Sequence, residues 1–379
     1  MKLIHITNDL HTGGVQKLLF DVNSKLIKRD ASIEIKIITV CDLGDMTGRF
    51  EASGIEVKLF PCWKNKSLKY ISLIEMLRLV RYLRREKPDI VQTHLFLGGL
   101  IGRLAAIFAG VKSIIHTEHN VYLWKNFYHK FIDYILALFM KKIIVVSESV
   151  KNFCIKKCKI SGLKLITINN GINFEDFKEI DDAAVAAVKN NYGLNSDDLI
   201  IGFTGRLVEQ KNVKTLILAF EKIIKNHGNV KLLIVGDGKQ KHEFQQYASE
   251  HNFTDKIIWT GVVENINSVL LIMDIFVLPS FYEGFGLSLY EAMAMRKSVI
   301  VSNIPAFKEV IVEGENGLLF DAKNSNKLAE KIEQLIKEPE KRKYLAHNAH
   351  KAVYPKFDIN NVVDKYYKMY TSIVTINAK

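Results

Sequence analysis

Residues 279–291 read PSFYEGFGLSLYE. The run before them, Met273–Leu278 (MDIFVL), is apolar and rich in β-branched and aromatic residues, and Pro279 and Ser280 stop it, so it reads as a buried strand. Ser288–Met295 has the Leu, Ala and Met content of a helix. Between the two, Gly284 and Gly286 let backbone approach a ligand, and the new helix offers unpaired N–H groups and the positive end of its dipole. This is a seat for an anion. Glu283 precedes the helix and Glu291 lies about two turns further on, which is too far for one tight acid pair or one shared metal. The two carboxylates suit two separate groups of hydroxyls, with a phosphate held between them. A ligand with a diphosphate in the middle and a polyol at each end fits, and a nucleotide sugar is such a ligand. Two Glu at this spacing alone would read as solvated surface carboxylates; the paired Gly and the preceding strand argue otherwise.

The stretch resembles the Glu-x7-Glu signature of retaining GT-B glycosyltransferases of bacterial surface-polysaccharide type. The resemblance implies that Glu283 contacts the donor sugar and Glu291 the ribose. It implies a GT-B architecture, α/β, with two Rossmann-like doubly wound parallel-sheet domains facing across a cleft. The order of elements agrees with it. Lys2–Asn8 (KLIHITN) reads as a strand, Thr12, Gly13 and Gly14 as a turn, and Val15–Leu26 as an amphipathic helix. Leu199–Thr204 (LIIGFT), Gly205–Asn212 (GRLVEQKN) and Val213–Ile224 repeat that unit of strand, ligand-facing turn and helix. Strands and helices alternate through both halves, as in doubly wound sheets. Asn173–Asp198 loses strand character and is expected to hold the linker. The expected organisation is an acceptor-binding domain over 1–178, a nucleotide-sugar domain over 179–354, and a C-terminal helix in 355–379 that, by resemblance, returns to the first domain.

Ligands of parallel sheets sit beyond the carboxyl ends of the strands, which brings Gly13, Gly14, His94, His116 and His119 into consideration. From position alone the three histidines are equivalent. HTEHN resembles the family's Thr-x-His position at Thr117 and His119, and the resemblance selects His119 as a catalytic or orienting contact to the donor sugar, beside Glu283. In the second half, Gly205 frees the backbone, Arg206 can fork onto phosphate oxygens and Lys211 adds a point charge. GRLVEQKN resembles the family's pyrophosphate motif. The donor site implied by the resemblance comprises Gly13, Gly14, Arg206, Lys211, Val263, Glu283, Phe285, Gly286, Leu287 and Glu291, with the loop at Thr260–Val263 reading the base through its backbone. One departure stands out: the family commonly has Gly and Pro where this chain has Arg296 and Ser298. Leu232–Gly238 (LLIVGDG) lacks the third Gly of a dinucleotide fingerprint, which weighs against a dehydrogenase.

The composition, with 48% hydrophobic and 25% charged residues in 379, is that of a globular protein of two domains. No secretory signal is visible at the start, and Phe131–Val146 is broken by Asp133, Lys141 and Lys142, so a cytoplasmic protein is expected. The four cysteines form no CxxC pair and read as free thiols. No Asp-x-Asp triplet occurs, so neither a metal nor another cofactor is expected, with Arg206, Lys211 and the helix dipole in the metal's place. Residues 1–178 hold 28 basic and 16 acidic side chains, whereas the remainder is balanced at 25 of each. The whole surplus lies in the first half and suits an anionic membrane surface or a phosphate-bearing acceptor, such as a lipid-linked glycan. Nucleic acid is not expected, for want of a recognition motif. Lys64–Lys87 alternates apolar and basic residues, with Arg78, Arg81 and Arg85 on one face and Leu73, Ile74, Leu77 and Val80 available for the opposite one. Tyr122–Phe139 carries many aromatics that could line an acceptor cleft, core packing being the cheaper explanation. The expected activity is a retaining, metal-independent hexosyl transfer by a peripheral membrane enzyme. The alternatives are a nucleotide-sugar epimerase of the same architecture and a non-catalytic nucleotide-sugar-binding scaffold.

Overall fold

The computed structural model describes residues 1–63, 71–177 and 182–378. In chain order the elements are β1 (Lys2–Thr7), α1 (Gly14–Arg29), β2 (Glu34–Thr39), α2 (Thr47–Ala52), β3 (Glu56–Leu59), α3 (Leu73–Glu86), β4 (Ile90–His94), α4 (Phe96–Ala109), β5 (Ile114–Glu118), α5 (Phe127–Leu138), β6 (Lys142–Val145), α6 (Glu148–Cys158) and β7 (Leu165–Thr167). There follow α7 (Asp182–Asn191), β8 (Leu199–Thr204), α8 (Val213–Ile223), β9 (Val230–Val235), α9 (Lys241–Glu250), β10 (Ile257–Gly261), α10 (Ile266–Leu271), β11 (Ile275–Leu278), α11 (Leu287–Ala294), β12 (Ser298–Ser302), α12 (Pro305–Lys308), β13 (Leu318–Phe320), α13 (Ser325–Lys337), α14 (Pro339–Val353) and α15 (Ile359–Ala378).

The chain forms two compact units: Met1–Gly171 with Ile359–Lys379, and Ile172–Asp358. Each holds one all-parallel sheet, of order β3-β2-β1-β4-β5-β6-β7 in the first and β10-β9-β8-β11-β12-β13 in the second. Both sheets are doubly wound: strand order reverses between β1 and β4 in one and between β8 and β11 in the other. The central strands of the second sheet are apolar on both faces, as expected where helices cover the two sides; Ile275–Leu278 is buried throughout. The first unit's core runs from α1 (Leu18, Leu19, Val22, Leu26) to α15 (Val362, Val363, Tyr366, Tyr370). Each such side chain contributes about 1.5–3 kcal/mol by leaving water, so α15 is a structural member of the unit that precedes it by nearly two hundred residues.

Two expectations are corrected. The described part of α3 starts at Leu73, and residues 64–70 of the basic stretch lie outside the described residues. The helix buries Leu79, Val80 and Leu83, while Leu73, Ile74 and Leu77 are exposed together with Arg78, Arg81 and Arg85. The apolar residues of its first turns therefore share the solvent side with the arginines instead of covering the sheet. Core packing also fails to absorb the aromatics of Tyr122–Phe139. Helix α5 buries only Asp133, Leu136 and Ala137 and exposes Phe127 and Tyr128 at 74% and 73%, with Phe131, Ile132 and Ile135 also exposed. The reason is an ion pair: Asp133 faces inward to meet Arg103 and Lys125, which turns the apolar face out.

The departure at Arg296 has a local solution. Lys297 N–H bonds Ala292 O at 3.0 Å, closing the end of α11, and Arg296 takes the left-handed backbone (φ 53°) that such a closure needs. A side chain there costs about 1 kcal/mol or more, partly offset by the greater unfolded-chain entropy of glycine. Arg296→Gly is therefore expected to stabilise the protein by about 0.5–1 kcal/mol, raising the melting temperature by about 1–3 °C; calorimetric melting curves of the two proteins measure it, and a lower melting temperature would refute the strain.

Candidate active site

At a reversal of strand order, neighbouring loops leave the sheet toward opposite faces and open a crevice at the carboxyl edge. In the second unit that position falls between β8 and β11. The loop after β8 carries Lys211, the loop after β11 carries Glu283, and the two side chains meet: Lys211 Nζ stands 2.6 Å from Glu283 Oε1. Both are largely buried, Glu283 at 7%. Ser280 Oγ donates to the same carboxylate oxygen at 2.7 Å, and Gln210 Nε2 approaches Oε2 at 3.5 Å while donating to Tyr282 O at 2.9 Å. Phe281 N–H bonds back to Gln210 O at 2.9 Å, and Asn212 Nδ2 donates to Pro279 O and Ala322 O. The two loops are thus stitched together by backbone and side chain. An ionised Glu283 is an acceptor only, with about four lone-pair sites, two of which on Oε1 serve Lys211 and Ser280.

Neighbouring loops are laced to this pair. Gly205 N–H bonds Val235 O, Leu207 N–H bonds Asp237 O, and Gly236 N–H bonds Gly261 O at 2.7 Å. Gly236 has φ 125°, and a Cβ there would lie 2.1 Å from Gly205 O, so only glycine allows the crossing. Arg206 lies between these tie points, exposed. Gly286 caps helix α11, and its left-handed backbone (φ 81°) turns the chain; a Cβ would meet the Phe307 ring at 2.6 Å. Leu287 opens the helix half-buried and Glu291 is buried one turn in. The Phe285 ring is buried and stacked on Tyr290 at 3.9 Å, so its side chain belongs to the core. Val263 lies half-buried beyond β10, three loops away in the same sheet.

The first unit places its residues at the reversal between β1 and β4. Gly13 caps α1 with extended backbone and Gly14 begins it, exposed. The three histidines separate by environment. His116 is a satisfied core residue, bonded to Thr93 Oγ1 at 2.9 Å. His94 and His119 are joined at 3.1 Å, and His94 continues to His5 on β1 at 2.9 Å. Burial keeps all three rings of that chain neutral: His119 is pushed down to about 4, His5 to about 3, and His94 well below the ordinary range. Leu95, directly after His94, holds φ 61° and ψ −175°, a conformation that costs a non-glycine residue about 1–3 kcal/mol and that clusters at functional sites. Beyond His119, Lys125 reaches back to Glu118 (3.1 Å) and Asp133 (2.8 Å), and Arg103 holds Asp133 at 2.7 Å. Two acids and two bases balance in this buried cluster.

Sequence reading missed His5, Gln210, Ser280 and Asn212. Gln210 and Asn212 flank Lys211 and carried a signal in that adjacency; His5 sat in an apolar strand where nothing marked it.

The profile of the family described as glycosyl transferases group 1 matches residues 185–352, and that of glycosyltransferase family 4 matches residues 12–176. The capsular polysaccharide biosynthesis glycosyltransferase CapM of Staphylococcus aureus is 29% identical over 318 residues, 80% of this chain and 82% of its own. The UDP-Gal:α-D-GlcNAc-diphosphoundecaprenol α-1,3-galactosyltransferase of Escherichia coli is 28% identical, with 80% and 81% covered. The Anabaena HepE structure with UDP and glucose superposes with a TM-score of 0.88 at 19% identity, covering 98% of this chain and all of that one. Two glycosyltransferase family models thus account for the two halves of the chain, family 4 for residues 12–176 and group 1 for residues 185–352, and the chain is a glycosyltransferase of GT-B fold.

Proposed function

We propose that this protein moves a sugar from a UDP-sugar to a lipid-linked saccharide in bacterial surface-polysaccharide synthesis, with retention of anomeric configuration and no metal ion. The observation that carries the reading is the Lys211–Glu283 contact of 2.6 Å. It brings a cation suited to phosphate and a carboxylate suited to sugar hydroxyls into one place, beside the N-terminus of α11. HepE has been seen with UDP, with UDP and glucose, and with UDP-glucose, and the Escherichia coli relative is named for a UDP-Gal donor and a diphosphoundecaprenol acceptor. The relatives named above are transferases, which weighs against the epimerase alternative.

In this scheme Arg206 and Lys211 bind the diphosphate together with the backbone of Phe285, Gly286 and Leu287. Glu283 accepts hydrogen bonds from the sugar, Glu291 from the ribose, and the backbone at Val263 reads the base. The resemblance of HTEHN assigns His119 to the sugar, and Gly13 and Gly14 to the donor. The acceptor oxygen bonds to the anomeric carbon on the face from which the diphosphate departs. The breaking bond leaves its electron pair on the phosphate oxygen, which takes the acceptor's proton. Charge grows on the diphosphate during this step, so cations placed there stabilise the transition state more than the ground state.

Membrane association is the second part of the proposal. Unit one carries 30 basic and 15 acidic side chains, and no described helix is long and apolar enough to cross a membrane. The exposed side of α3, where Leu73, Ile74 and Leu77 accompany Arg78, Arg81 and Arg85, has the composition of a helix lying in an anionic interface on the cytoplasmic side.

Three outcomes are expected. Replacing Arg206 and Lys211 together by Ala raises the Kd for UDP at least about a hundredfold, each lost charge-assisted contact contributing about 1.5–3 kcal/mol; titration calorimetry showing unchanged affinity removes the phosphate assignment. Glu283→Gln lowers kcat about a hundredfold or more while UDP still binds, in a transfer assay run in EDTA; full turnover in the variant would sink the sugar role, and loss of wild-type turnover to EDTA the metal-free one. Vesicles containing phosphatidylglycerol co-sediment the protein, and Arg81→Glu with Arg85→Glu cuts partitioning at least about tenfold; equal binding to neutral vesicles would count against the membrane surface.

A further inference from the structure

Histidines from three adjacent strands form one hydrogen-bonded row: His5 on β1, His94 at the end of β4 and His119 just past β5. The bonds run His5 Nδ1 to His94 Nε2 (2.9 Å) and His94 Nδ1 to His119 Nε2 (3.1 Å). The outer nitrogens, His5 Nε2 and His119 Nδ1, are buried and have no partner of normal geometry among the described residues. Beside His5 lies Asn23 of α1, fully buried and close enough to interact with the His5 ring, though neither amide atom makes a hydrogen bond of normal geometry. A small cavity opens there, lined by His5, Asn23, Gln92, His94, His119 and Tyr370 among others.

Neutral imidazole has one N–H, so a ring that donates through one nitrogen must accept through the other. Two neutral rings cannot both donate, or both accept, across a single bond. The row therefore has only two arrangements. Either every ring carries hydrogen on Nδ1, the chain donating outward from His5 to His119, or every ring carries it on Nε2, the chain donating inward. Reversing one ring breaks at least one bond, which inside the protein costs the desolvation of an unpaired polar atom. His116, the nearest other titratable ring, is committed to Thr93 and lies outside the row, as do Glu118 and Lys125, which bond one another.

We propose that His5–His94–His119 is a tautomer lock in which Asn23, at the buried end, decides whether His119 Nδ1 donates or accepts. His5 and His94 are then positioning residues: they touch no substrate and act through His119. An Asn23 amide that donates to His5 Nε2 selects the all-Nδ1–H row and makes His119 Nδ1 a donor; one that accepts selects the all-Nε2–H row and makes it an acceptor. Either way a group on α1 fixes the polarity of an atom two strands away. For catalysis the consequence rests on the reading of His119 as a sugar contact, because a hydroxyl bonded by a fixed donor orients differently from one bonded by a fixed acceptor.

The test is the two-bond nitrogen–proton spectrum of the histidine-labelled full chain, which distinguishes Nδ1–H from Nε2–H rings. His5, His94 and His119 are expected to share one tautomer. Asn23→Leu, which has similar volume and lies at the opposite end of the row from His119, is expected to turn the His119 pattern into a mixture or into the other tautomer. In the same variant kcat/KM for the UDP-sugar falls about tenfold, the effect of one mis-set hydrogen bond, while the Kd for UDP alone stays within about twofold. Different tautomers among the three rings of the wild-type protein overturn the lock, and so does a His119 pattern that Asn23→Leu leaves unchanged. If that variant does not fold, the wild-type spectrum alone decides. The spectra need no donor, so a uniform row whose His119 signals ignore added UDP-sugar upholds the lock and sinks the sugar-contact reading instead.

Discussion

A charge buried without a partner costs several kcal/mol, and the second unit answers that constraint by pairing Lys211 with Glu283. Each residue makes the other's burial tolerable, and neither could reach the other unless β8 and β11 were neighbours, which the sheet provides only where its strand order reverses. Asn212, Gln210 and Ser280 then hold the loops at that separation. Removing either charge strands the other in place, so this site and the local stability of its loops are one problem.

The first unit solves a comparable problem twice, by opposite means. Along β1, β4 and β5 the polar groups are histidines that burial keeps uncharged, so they meet the low-dielectric interior by hydrogen-bonding one another. Around Glu118, the acids Glu118 and Asp133 meet the bases Arg103 and Lys125 in direct ion pairs; Lys125 also sits 4.5 Å from the centre of the Tyr122 ring. His119 lies at the junction, with the neutral row behind it and the segment leading to the ionic cluster ahead. The cluster anchors residues 119–125 at both ends, which gives His119 a fixed backbone to stand on.

Much of this was legible in the chain because it is periodic or punctuated. Apolar runs such as LIIGFT and MDIFVL ended by Gly or Pro gave the strands, and their alternation with helices gave two parallel sheets. Lys211 and Glu283 were each readable from loop chemistry; that they touch was not, because 72 residues separate them and only the pairing order of strands brings them together. Asp133 misled for a related reason. In sequence it only breaks an apolar stretch, yet its partners Arg103 and Lys125 come from other elements and decide which side of the helix faces in. The same long-range logic hid His5, an unmarked residue in an apolar strand until β4 was laid beside it. Arg296 shows the converse: backbone hydrogen bonds impose a left-handed turn that the usual glycine would only have made cheaper.

Charge distribution separates the two units further. Unit two holds 23 basic and 26 acidic side chains, so its anion seat cannot depend on a general positive field and needs cations and helix N–H groups placed individually. That suits a small ligand whose phosphates must lie in one position. Unit one carries twice as many bases as acids, spread along helices and mixed with exposed Leu, Ile and Phe. A diffuse field falls off within about 8–10 Å in physiological salt and orients nothing finely, but it holds a large anionic surface nearby while apolar side chains add area-dependent affinity. The proposed division of labour, a compact nucleotide on one unit and a lipid-borne acceptor on the other, follows from that difference in how each unit deploys positive charge.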